Sequence, residues 1–395
     1  MVISTLHKPT PVFCRHYGAC GGCDFQDQEY AAQLEYKSTY CRNLFTSFGC
    51  VPDPIIASPQ HKFFRNKMEF SVGGTPEAPA IGQRRSGQFD QLVDLAECPV
   101  FNVHTAELLS IVREWLVENG IAPYDLKLRT GEVRYVSLRD SKAQGELMVT
   151  LIAALKPDEL ARQARYRGLF ERLSARLPVS SLFLGCNKER SDTAFSGEPR
   201  LMSGSGYIRE TVNKIEYIIR PRTFFQTNSA CCEKLYDVLR HCAVGLEGHI
   251  YDVYCGSGGI TLQLAAVGRR VTGIDISERN IEDAKQNRDL NGLSADFLCS
   301  DADTFIQGLH NDEPWSLVVD PPRSGLSGKF ISILLKNGPK EFIYVSCNPL
   351  KLRDDLKKLG EAYTVTRLSP VDMFPHTRHM EVVCVLKRLP PVKAL

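Results

Sequence analysis

A cysteine stands where an apolar run ends in YVSCNP, at the point where a buried strand gives way to a loop. A thiol in such a loop can act as a nucleophile once it loses its proton. The later segment DMFPHTRHMEVV offers Glu381 as a general base, with His376 and His379 as rivals. We therefore predict that Cys347 and Glu381 form a pair of nucleophile and base. The spacing H-x-x-H-x-E also permits a metal site, which stays open as an alternative.

A glycine-rich turn, DVYCGSGG, follows an apolar strand and opens a helix, so that a ligand can approach the backbone closely. The next strand ends at Asp275, whose carboxylate can accept hydrogen bonds from two ribose hydroxyls. Thr261 occupies the place of the third glycine in a dinucleotide fingerprint, which disfavours NAD. Together with DPP after a further strand, these features resemble class I S-adenosylmethionine methyltransferases, which have a doubly wound α/β sheet.

The residues after DPP narrow down the target atom. In VVDPPRSG, Arg323 stands where amine-methylating enzymes carry an aromatic residue and where RNA cytosine-C5 enzymes carry a cysteine. Cys347 is then the remaining nucleophile. Thiolate addition to carbon 6 of uracil creates an enolate whose carbon 5 can attack a sulfonium methyl group, and a base must afterwards remove the carbon 5 proton. This chemistry predicts methylation of a uracil that is flipped out of a folded RNA.

Clustered cysteines near the amino terminus form a candidate metal site. Cys14, Cys20 and Cys23 have the spacing C-x5-C-x2-C, and Cys98 in AECP can supply a fourth thiolate through the fold. Four soft ligands suit zinc or an iron-sulfur cluster equally well. By count alone, both metals and a site without metal remain open.

The segment HKFFRNKMEF interleaves aromatic and basic side chains. Phe64, Arg65 and Lys67 could stack on bases and neutralise phosphates, so we predict an RNA contact here. An ordinary solvent-exposed edge strand is the alternative.

Three regions of different texture predict three domains. A cysteine-rich segment with a helix near 27–48 is followed by an α+β domain with helices near 103–119 and 157–175, and then by strands alternating with helices. The predicted boundaries are 1–60 for the cysteine-cluster segment, 61–215 for the central RNA-binding domain and 216–395 for the methyltransferase domain.

Composition sets further limits. Lys and Arg total 48 against 46 for Asp and Glu, so any nucleic-acid surface must be a local patch. The amino-terminal residues lack the apolar core of a signal peptide, and no run approaches the ~20 apolar residues of a membrane span. Fourteen cysteines in such a chain indicate metal ligation or catalysis before disulfides. We expect a cytoplasmic protein without a membrane or an obligate protein partner.

Over nearly its whole length the sequence resembles the iron-sulfur RNA uracil-C5 methyltransferases. The resemblance rests on RTFFQTN, DVYCGSGGITL, GID, VVDPPRSG, YVSCNP, DMFPHTRHMEVV, FRNK and the amino-terminal cysteines. It implies a [4Fe-4S] cluster in place of zinc, Cys347 as nucleophile and Glu381 as base. It also implies that five residues surround S-adenosylmethionine: Gln226, Tyr254, Asp275, Asp301 and Asp320. Asp275 departs from the Glu that is more usual in the family, so ribose contact would need a small shift or a water.

The subgroup within the family is a further expectation. The chain begins close to Cys14, without the extra amino-terminal barrel domain of one subgroup, and it carries the cysteines that another lacks. This combination resembles the enzymes that methylate a loop uridine of 23S ribosomal RNA. Transfer RNA as the substrate is one alternative, and an inactive cluster-bearing RNA-binding module is another.

Overall fold

A computed structural model describes residues 10–155, 164–190, 192–309 and 313–390. The helices are α1 Tyr30–Phe45, α2 Thr105–Glu118, α3 Ala164–Ser174, α4 Ser229–Ala243, α5 Gly259–Ala265, α6 Glu278–Leu290, α7 Ala302–Gly308, α8 Gly328–Asn337 and α9 Pro349–Leu359, with a 3-10 turn at Thr46–Phe48. The strands are β1 Lys67–Gly74, β2 Pro79–Arg85, β3 Gln88–Asp94, β4 Val133–Asp140, β5 Leu147–Ala153, β6 Val179–Cys186, β7 Arg200–Gly204, β8 Ile208–Val212, β9 Ile215–Ile219, β10 His249–Val253, β11 Val271–Asp275, β12 Asp296–Cys299, β13 Trp315–Val319, β14 Glu341–Ser346, β15 Tyr363–Val371 and β16 Glu381–Arg388.

The predicted helices are present with shifted ends. The helix predicted over 27–48 is α1 followed by the 3-10 turn, and the one near 103–119 is α2. For the helix predicted over 157–175, residues 157–163 lie outside the described part, and the remainder is α3. Among the helices described, none combines the length and the apolar character that crossing a membrane requires.

The central region forms a seven-stranded sheet in the order β3-β2-β1-β4-β5-β6-β7. All neighbours are antiparallel except β5 and β6, which are parallel and are connected through α3. Leucines, valines and aromatic residues of this sheet pack against α2 and α3, where the rings of Trp115 and Tyr166 lie 5.2 Å apart. The predicted antiparallel α+β unit is therefore present, with one parallel pair inside it.

The carboxyl-terminal region forms a second seven-stranded sheet in the order β12-β11-β10-β13-β14-β16-β15. Strands β10 to β14 pair in parallel, whereas β16 runs antiparallel to both β14 and β15. The strand order reverses between β10 and β13, and ligands of such sheets bind in the crevice at that point. The prediction of a class I methyltransferase α/β fold is confirmed.

Helix caps fall on residues at the carboxyl edge of this second sheet. Asn228, Ser277, Asp301, Ser327 and Asn348 each accept a hydrogen bond from a backbone N–H in the first turn of the following helix. Asn, Ser and Asp are favoured there because their side-chain oxygens satisfy amides that lack a partner within the helix. The short connections between strands and helices are thus fixed locally, which holds the strand ends in place.

The amino-terminal segment packs against the end of the chain. Lys37 of α1 forms a salt bridge with Asp372, and both side chains are fully buried. Tyr30 donates a 2.8 Å hydrogen bond to the other oxygen of Asp372, and Lys37 also donates to the carbonyl of Phe374 at 3.0 Å. The backbone amides of Asp24 and Phe25 donate to the carbonyl of His376 at 2.7 and 3.1 Å. Residues 24–37 are therefore fixed to the loop that precedes β16.

Candidate active site

Five of the predicted site residues lie at one edge of the second sheet. Tyr254, Asp275, Asp320 and Cys347 stand at the carboxyl ends of β10, β11, β13 and β14. Glu381 is the first residue of β16, and because β16 runs in the opposite direction its amino end lies at the same edge. Residues from four parallel strands and one antiparallel strand thus converge at the crevice.

The strand register places Cys347 beside Glu381. Ser346 pairs with Val382 in the antiparallel ladder of β14 and β16, and Cys347 and Glu381 adjoin this pair on their own strands. Opposed residues in such a ladder have Cα atoms about 4.5–5.5 Å apart and side chains on the same face. Burial raises the pKa of the Cys347 thiol to about 11, the nearby charges of Glu381 and Asp320 add to the rise, and Arg323 opposes it. The thiol is therefore protonated in the ligand-free protein.

Buried carboxyl groups surround this pair. Glu381 is 2% exposed and its Oε2 has no hydrogen-bond partner among the described residues. Burial and then the charge of Asp320 hold its pKa well above the usual range, with Arg323 opposing. The pKa of Asp320 is raised to about 7 by burial and by Asp252. Asp252, also buried, has its pKa raised to about 7, and its Oδ1 lacks a partner within the described residues. A cationic ligand would relieve this crowding of acids.

A small cavity lies next to these carboxyl groups. Gln226, Tyr254 and Asp320 line it, together with Phe224 and the glycine-rich turn. The turn is sharp because Tyr254 and Gly258 have φ angles of +70° and +87°, in the left-handed region. The ring of Tyr254 and the carboxyl group of Asp320 are thus next to one another in this cavity.

Asp275 and Asp301 lie at the same edge but already carry hydrogen bonds. Asp275 accepts from the amide of Gly256 at 3.0 Å through one oxygen, and from the amide of Ser277 at 2.9 Å through the other. Asp301 caps α7 by accepting from the amide of Thr304 at 3.0 Å, which lowers its pKa. Each carboxylate oxygen can accept more than one hydrogen bond, so contact with a ligand remains open.

The two histidines of DMFPHTRHMEVV have different surroundings and do not form one site. His376 has a φ of +64° and is buried, and its Nε2 lies 2.8 Å from the carbonyl of His61. His379 lines a different cavity beside Cys347. Within the ranges that the structure covers, no three His, Cys, Asp or Glu side chains are grouped so as to hold a metal ion. The metal site that H-x-x-H-x-E permitted therefore does not form.

Comparison with known proteins decides the family. A model of the tRNA (uracil-5-)-methyltransferases matches residues 29–389. The chain belongs to this family.

Relatives of two substrate types are similar to the chain. A 23S rRNA (uracil(747)-C(5))-methyltransferase of Pyrococcus abyssi is 34% identical over 96% of the chain and 86% of its own length. A tRNA (uracil(54)-C(5))-methyltransferase of Pyrococcus furiosus is 32% identical over 95% of the chain and 85% of its own length. The crystal structure of Pyrococcus abyssi tRNA (uracil-54, C5)-methyltransferase with S-adenosyl-L-homocysteine superimposes with a TM-score of 0.76 at 30% identity, covering 92% of this chain and 85% of that one. These matches confirm the prediction that the chain is an S-adenosylmethionine-dependent RNA uracil-C5 methyltransferase.

The four amino-terminal candidate ligands come together around one cavity. Cys14, Cys20, Cys23 and Cys98 line a space of about 410 Å³. The amide of Gly22 donates to the sulfur of Cys20 at 3.4 Å and Gln26 Nε2 donates to that of Cys23 at 3.2 Å. Gln26 Oε1 and Arg65 Nε, both from residues that line this cavity, are buried without partners in the described chain. The donor set of four thiols with hydrogen-bond donors around them fits a metal group.

The FRNK segment, which was predicted to contact RNA, is partly buried in the structure. Phe64 is 2% exposed and packs in the core of the central sheet, so its ring offers no face to a base. Arg65 and Lys67 line the cavity of the four cysteines, and Lys67 pairs with Glu69 at 2.7 Å. The alternation of aromatic and basic residues does not show which side faces solvent, and here the aromatic residue faces inward. The prediction of an RNA contact at Phe64 is therefore wrong.

Asn66 in the same segment has a role that the sequence did not indicate. Its Nδ2 donates to the carbonyl of Gln226 at 2.7 Å and to Ser229 Oγ at 2.9 Å. Its amide donates to the carbonyl of Thr227 at 2.8 Å. FRNK thus fixes the loop that carries Gln226 into the cofactor cavity. Only the shared appearance of FRNK and RTFFQTN among the family motifs could have suggested this contact.

Proposed function

We propose that the protein methylates carbon 5 of a uridine in RNA through a covalent intermediate, with Cys347 as the nucleophile and Glu381 as the base. The thiolate of Cys347 adds to carbon 6, and the electron pair moves through carbon 5 towards the O4 carbonyl. Carbon 5 then takes the methyl group, Glu381 accepts the carbon 5 proton, and elimination of the thiolate restores the double bond. The observation that supports this proposal is the register of β14 and β16, in which Cys347 and Glu381 adjoin the Ser346–Val382 pair.

S-adenosylmethionine supplies an electrophilic methyl group when it is bound. Gln226, Tyr254 and Asp320 line the cavity next to Cys347, and Asp275 and Asp301 follow the two strands on its far side. We propose that these five residues hold the cofactor. The buried acids favour a cation, and a bound cation in turn lowers the pKa of the Cys347 thiol and so promotes formation of its thiolate.

The nucleophile can be tested by substitution and trapping. Cys347→Ser should abolish methyl transfer, and RNA containing 5-fluorouridine should trap a covalent adduct on the unmodified enzyme, because fluorine at carbon 5 cannot leave as a proton. Cys299→Ser, at an exposed cysteine, is the matched control and should retain activity. Normal turnover by the Cys347→Ser protein would exclude the mechanism, and an unreactive intact enzyme would support the inactive RNA-binding module.

The substrate that we propose is 23S ribosomal RNA, with transfer RNA as the second candidate. The relative named for 23S rRNA is 34% identical to the chain, while relatives named for tRNA reach 32%. Methylation of purified 23S rRNA and of bulk tRNA with labelled cofactor, followed by mapping of the labelled nucleotide, distinguishes the two. Label confined to tRNA would overturn the assignment to ribosomal RNA and leave the chemistry intact.

We further propose that Cys14, Cys20, Cys23 and Cys98 hold a [4Fe-4S] cluster. A single zinc ion with Zn–S bonds of about 2.3 Å draws its four sulfurs to about 3.8 Å from one another. All four cysteines line one cavity of about 410 Å³, and the resemblance to the iron-sulfur enzymes favours a cluster over a single zinc ion there. Because Cys98 belongs to the central region, such a cluster would tie residues 14–23 to it.

Metal analysis separates the cluster from zinc. Anaerobically purified protein should contain iron and acid-labile sulfide in equal amounts and absorb broadly in the visible range. Cys23→Ser should lose both signals, whereas the control Cys50→Ser, a half-exposed cysteine outside the cavity, should keep them. Stoichiometric zinc without iron would contradict the cluster.

The domain division into 1–60, 61–215 and 216–395 remains part of this proposal, as does a cytoplasmic location. The two seven-stranded sheets occupy 67–204 and 249–388, which agrees with a boundary between them.

A further inference from the structure

A second cavity opens on the outer side of Cys347. This outer pocket, of about 360 Å³, is lined by Tyr36 and Tyr40 of α1, by Arg323, by residues 347–350 and by Arg378 and His379. Gln226, Tyr254 and Asp320, which line the cofactor cavity, do not line it. A uracil that reacts with Cys347 must point inward to the cofactor. The outer pocket is therefore the space next to the reacting base, on the side where the rest of the RNA strand lies.

Tyr36 and Tyr40 lie on one face of α1, because residues four apart are neighbours on a helix surface. The side of the helix that faces the core carries Cys41 and Phe45, both fully buried. Tyr36 is 44% exposed and packs edge-on against Phe25, with ring centroids 5.1 Å apart. Tyr40 is half-buried and packs against the core of the second sheet, so the two tyrosines line the pocket side by side with Tyr36 the more exposed.

The helix that carries these rings is fixed by contacts on its buried side. Lys37, adjacent to Tyr36, forms the buried salt bridge with Asp372 and donates to the carbonyl of Phe374. A helix held in this way presents its tyrosines in one orientation, so little conformational entropy is lost when a base stacks on them. Neither tyrosine was singled out by the sequence, since their neighbours in the pocket lie more than 280 positions further along the chain.

The charge of the outer pocket suits a polyanion. Arg323 is exposed, the side chain of Arg378 is 69% exposed, and none of the residues that line the pocket is acidic. The ion pair of Arg378 with Asp24 is long, at 3.9 Å, and exposed, so it holds the guanidinium only weakly. The guanidinium lies 5.8 Å from the ring centre of Phe25. Arg378 can turn towards a phosphate at small cost.

We propose that the outer pocket binds the nucleotide next to the target uridine, with Tyr36 and Tyr40 stacking on its base and Arg378 contacting its phosphate. This inference rests on the proposed RNA uridine methylation. Aromatic platforms combined with cationic side chains are the means by which proteins hold single-stranded nucleic acid. Tyr36 and Tyr40 are positioning residues in this assignment, because they do not touch the reacting atoms.

The test combines tyrosine variants with altered RNA. The substrate is a synthetic hairpin from whichever RNA the enzyme methylates, either intact or with the base removed from the nucleotide on one side of the target. Tyr36→Leu and Tyr40→Leu should each raise KM for intact RNA about 5- to 150-fold, the range for one stacked base, with kcat little changed. Tyr36→Phe keeps the ring and should stay near the unmodified enzyme. Tyr207→Leu, at a half-exposed tyrosine outside both cavities, is the matched control.

The decisive result is the coupling between protein and RNA. On RNA that lacks the stacked base, the unmodified enzyme should lose at least this factor, each leucine variant should lose less than the unmodified enzyme does, and a variant with both replacements should lose nothing more. If Tyr36→Leu raises KM by the same factor on intact RNA and on both abasic RNAs, the tyrosines only support the helix. The inference is then overturned. Arg378→Gln should lower the salt dependence of RNA binding by about one phosphate contact, and an unchanged slope would count against the phosphate contact.

Two controls keep the result interpretable. Affinity for S-adenosylmethionine and the unfolding temperature of each variant should match those of the unmodified enzyme, and a leucine variant that fails either is replaced by its serine counterpart. Failure of the proposed function itself is seen separately, as absence of an adduct between the unmodified enzyme and 5-fluorouridine RNA.

Discussion

Replacing Glu381 with glutamine separates the two halves of the proposed reaction. The amide keeps the shape of the side chain but cannot accept a proton. Because Oε2 of Glu381 has no partner among the described residues, the substitution breaks no hydrogen bond at that atom. Cys347 should still add to uracil and the methyl group should still transfer, whereas the carbon 5 proton stays and the carbon–sulfur bond cannot break. A methylated RNA linked covalently to the enzyme should therefore accumulate.

The expected loss of turnover follows from the burial of this residue. A general base contributes about 10²- to 10⁴-fold to a rate, or about 3–5 kcal/mol of the barrier. Glu381 is only 2% exposed, so bulk water has poor access to the proton in its place. We therefore expect kcat to fall by about 10³- to 10⁴-fold, towards the upper end of that range.

A denaturing gel with methyl-labelled cofactor measures this effect directly. Glu381→Gln should show label in a band of enzyme joined to RNA, while Cys347→Ser should show none. His379→Gln tests the rival base and should release its product without an accumulated adduct. Turnover by Glu381→Gln within tenfold of the unmodified enzyme, or the absence of a labelled adduct, would refute the assignment of Glu381 as the base.

Three further outcomes are expected. Lys37→Met leaves Asp372 buried and unpaired, so the free energy of unfolding in urea should fall by about 3–5 kcal/mol, and adding Asp372→Leu should recover most of it. Asn66→Ala removes the 2.7 Å hydrogen bond to the loop of Gln226, and the Kd for S-adenosylmethionine in calorimetry should rise by about tenfold, as one charge-free hydrogen bond predicts. Burial raises the pKa of Asp320 to about 7, so its carboxylate forms as the pH rises from 6 to 8. Affinity for the cationic cofactor should therefore increase about tenfold over that interval. Asp320→Asn should abolish this trend.

The sequence was sufficient for the second sheet because its strands are short apolar runs that end in reactive residues. Asp275, Asp320 and Cys347 were placed at strand ends from local pattern alone, and parallel strands bring their carboxyl ends to one edge. The position of Glu381 could not be derived in this way. It depends on the insertion of β16 between β14 and β15, a pairing between distant segments that local pattern does not encode.

The other differences also come from contacts between distant parts of the chain. Asn66 was overlooked because its hydrogen-bond partner in the loop of Gln226 lies 160 positions away. Phe64 was placed wrongly because its ring is buried in the core that the central sheet forms with distant segments. Cys98 lines the same cavity as Cys14, Cys20 and Cys23 although it belongs to another region, and a metal at these four cysteines stays a prediction. The reactive residues could thus be identified from the sequence, whereas the side chains that face solvent could not.

The attachment of residues 24–37 to the loop before β16 has a consequence for biosynthesis. While the ribosome is still making the protein, a nascent chain that stops before Asp372 has no acceptor for Lys37 and no strand to carry Glu381. Because β16 lies between β14 and β15, the sheet edge that carries Cys347 is completed only after residues 372–388 have left the ribosome, so the whole site forms in one late step of synthesis.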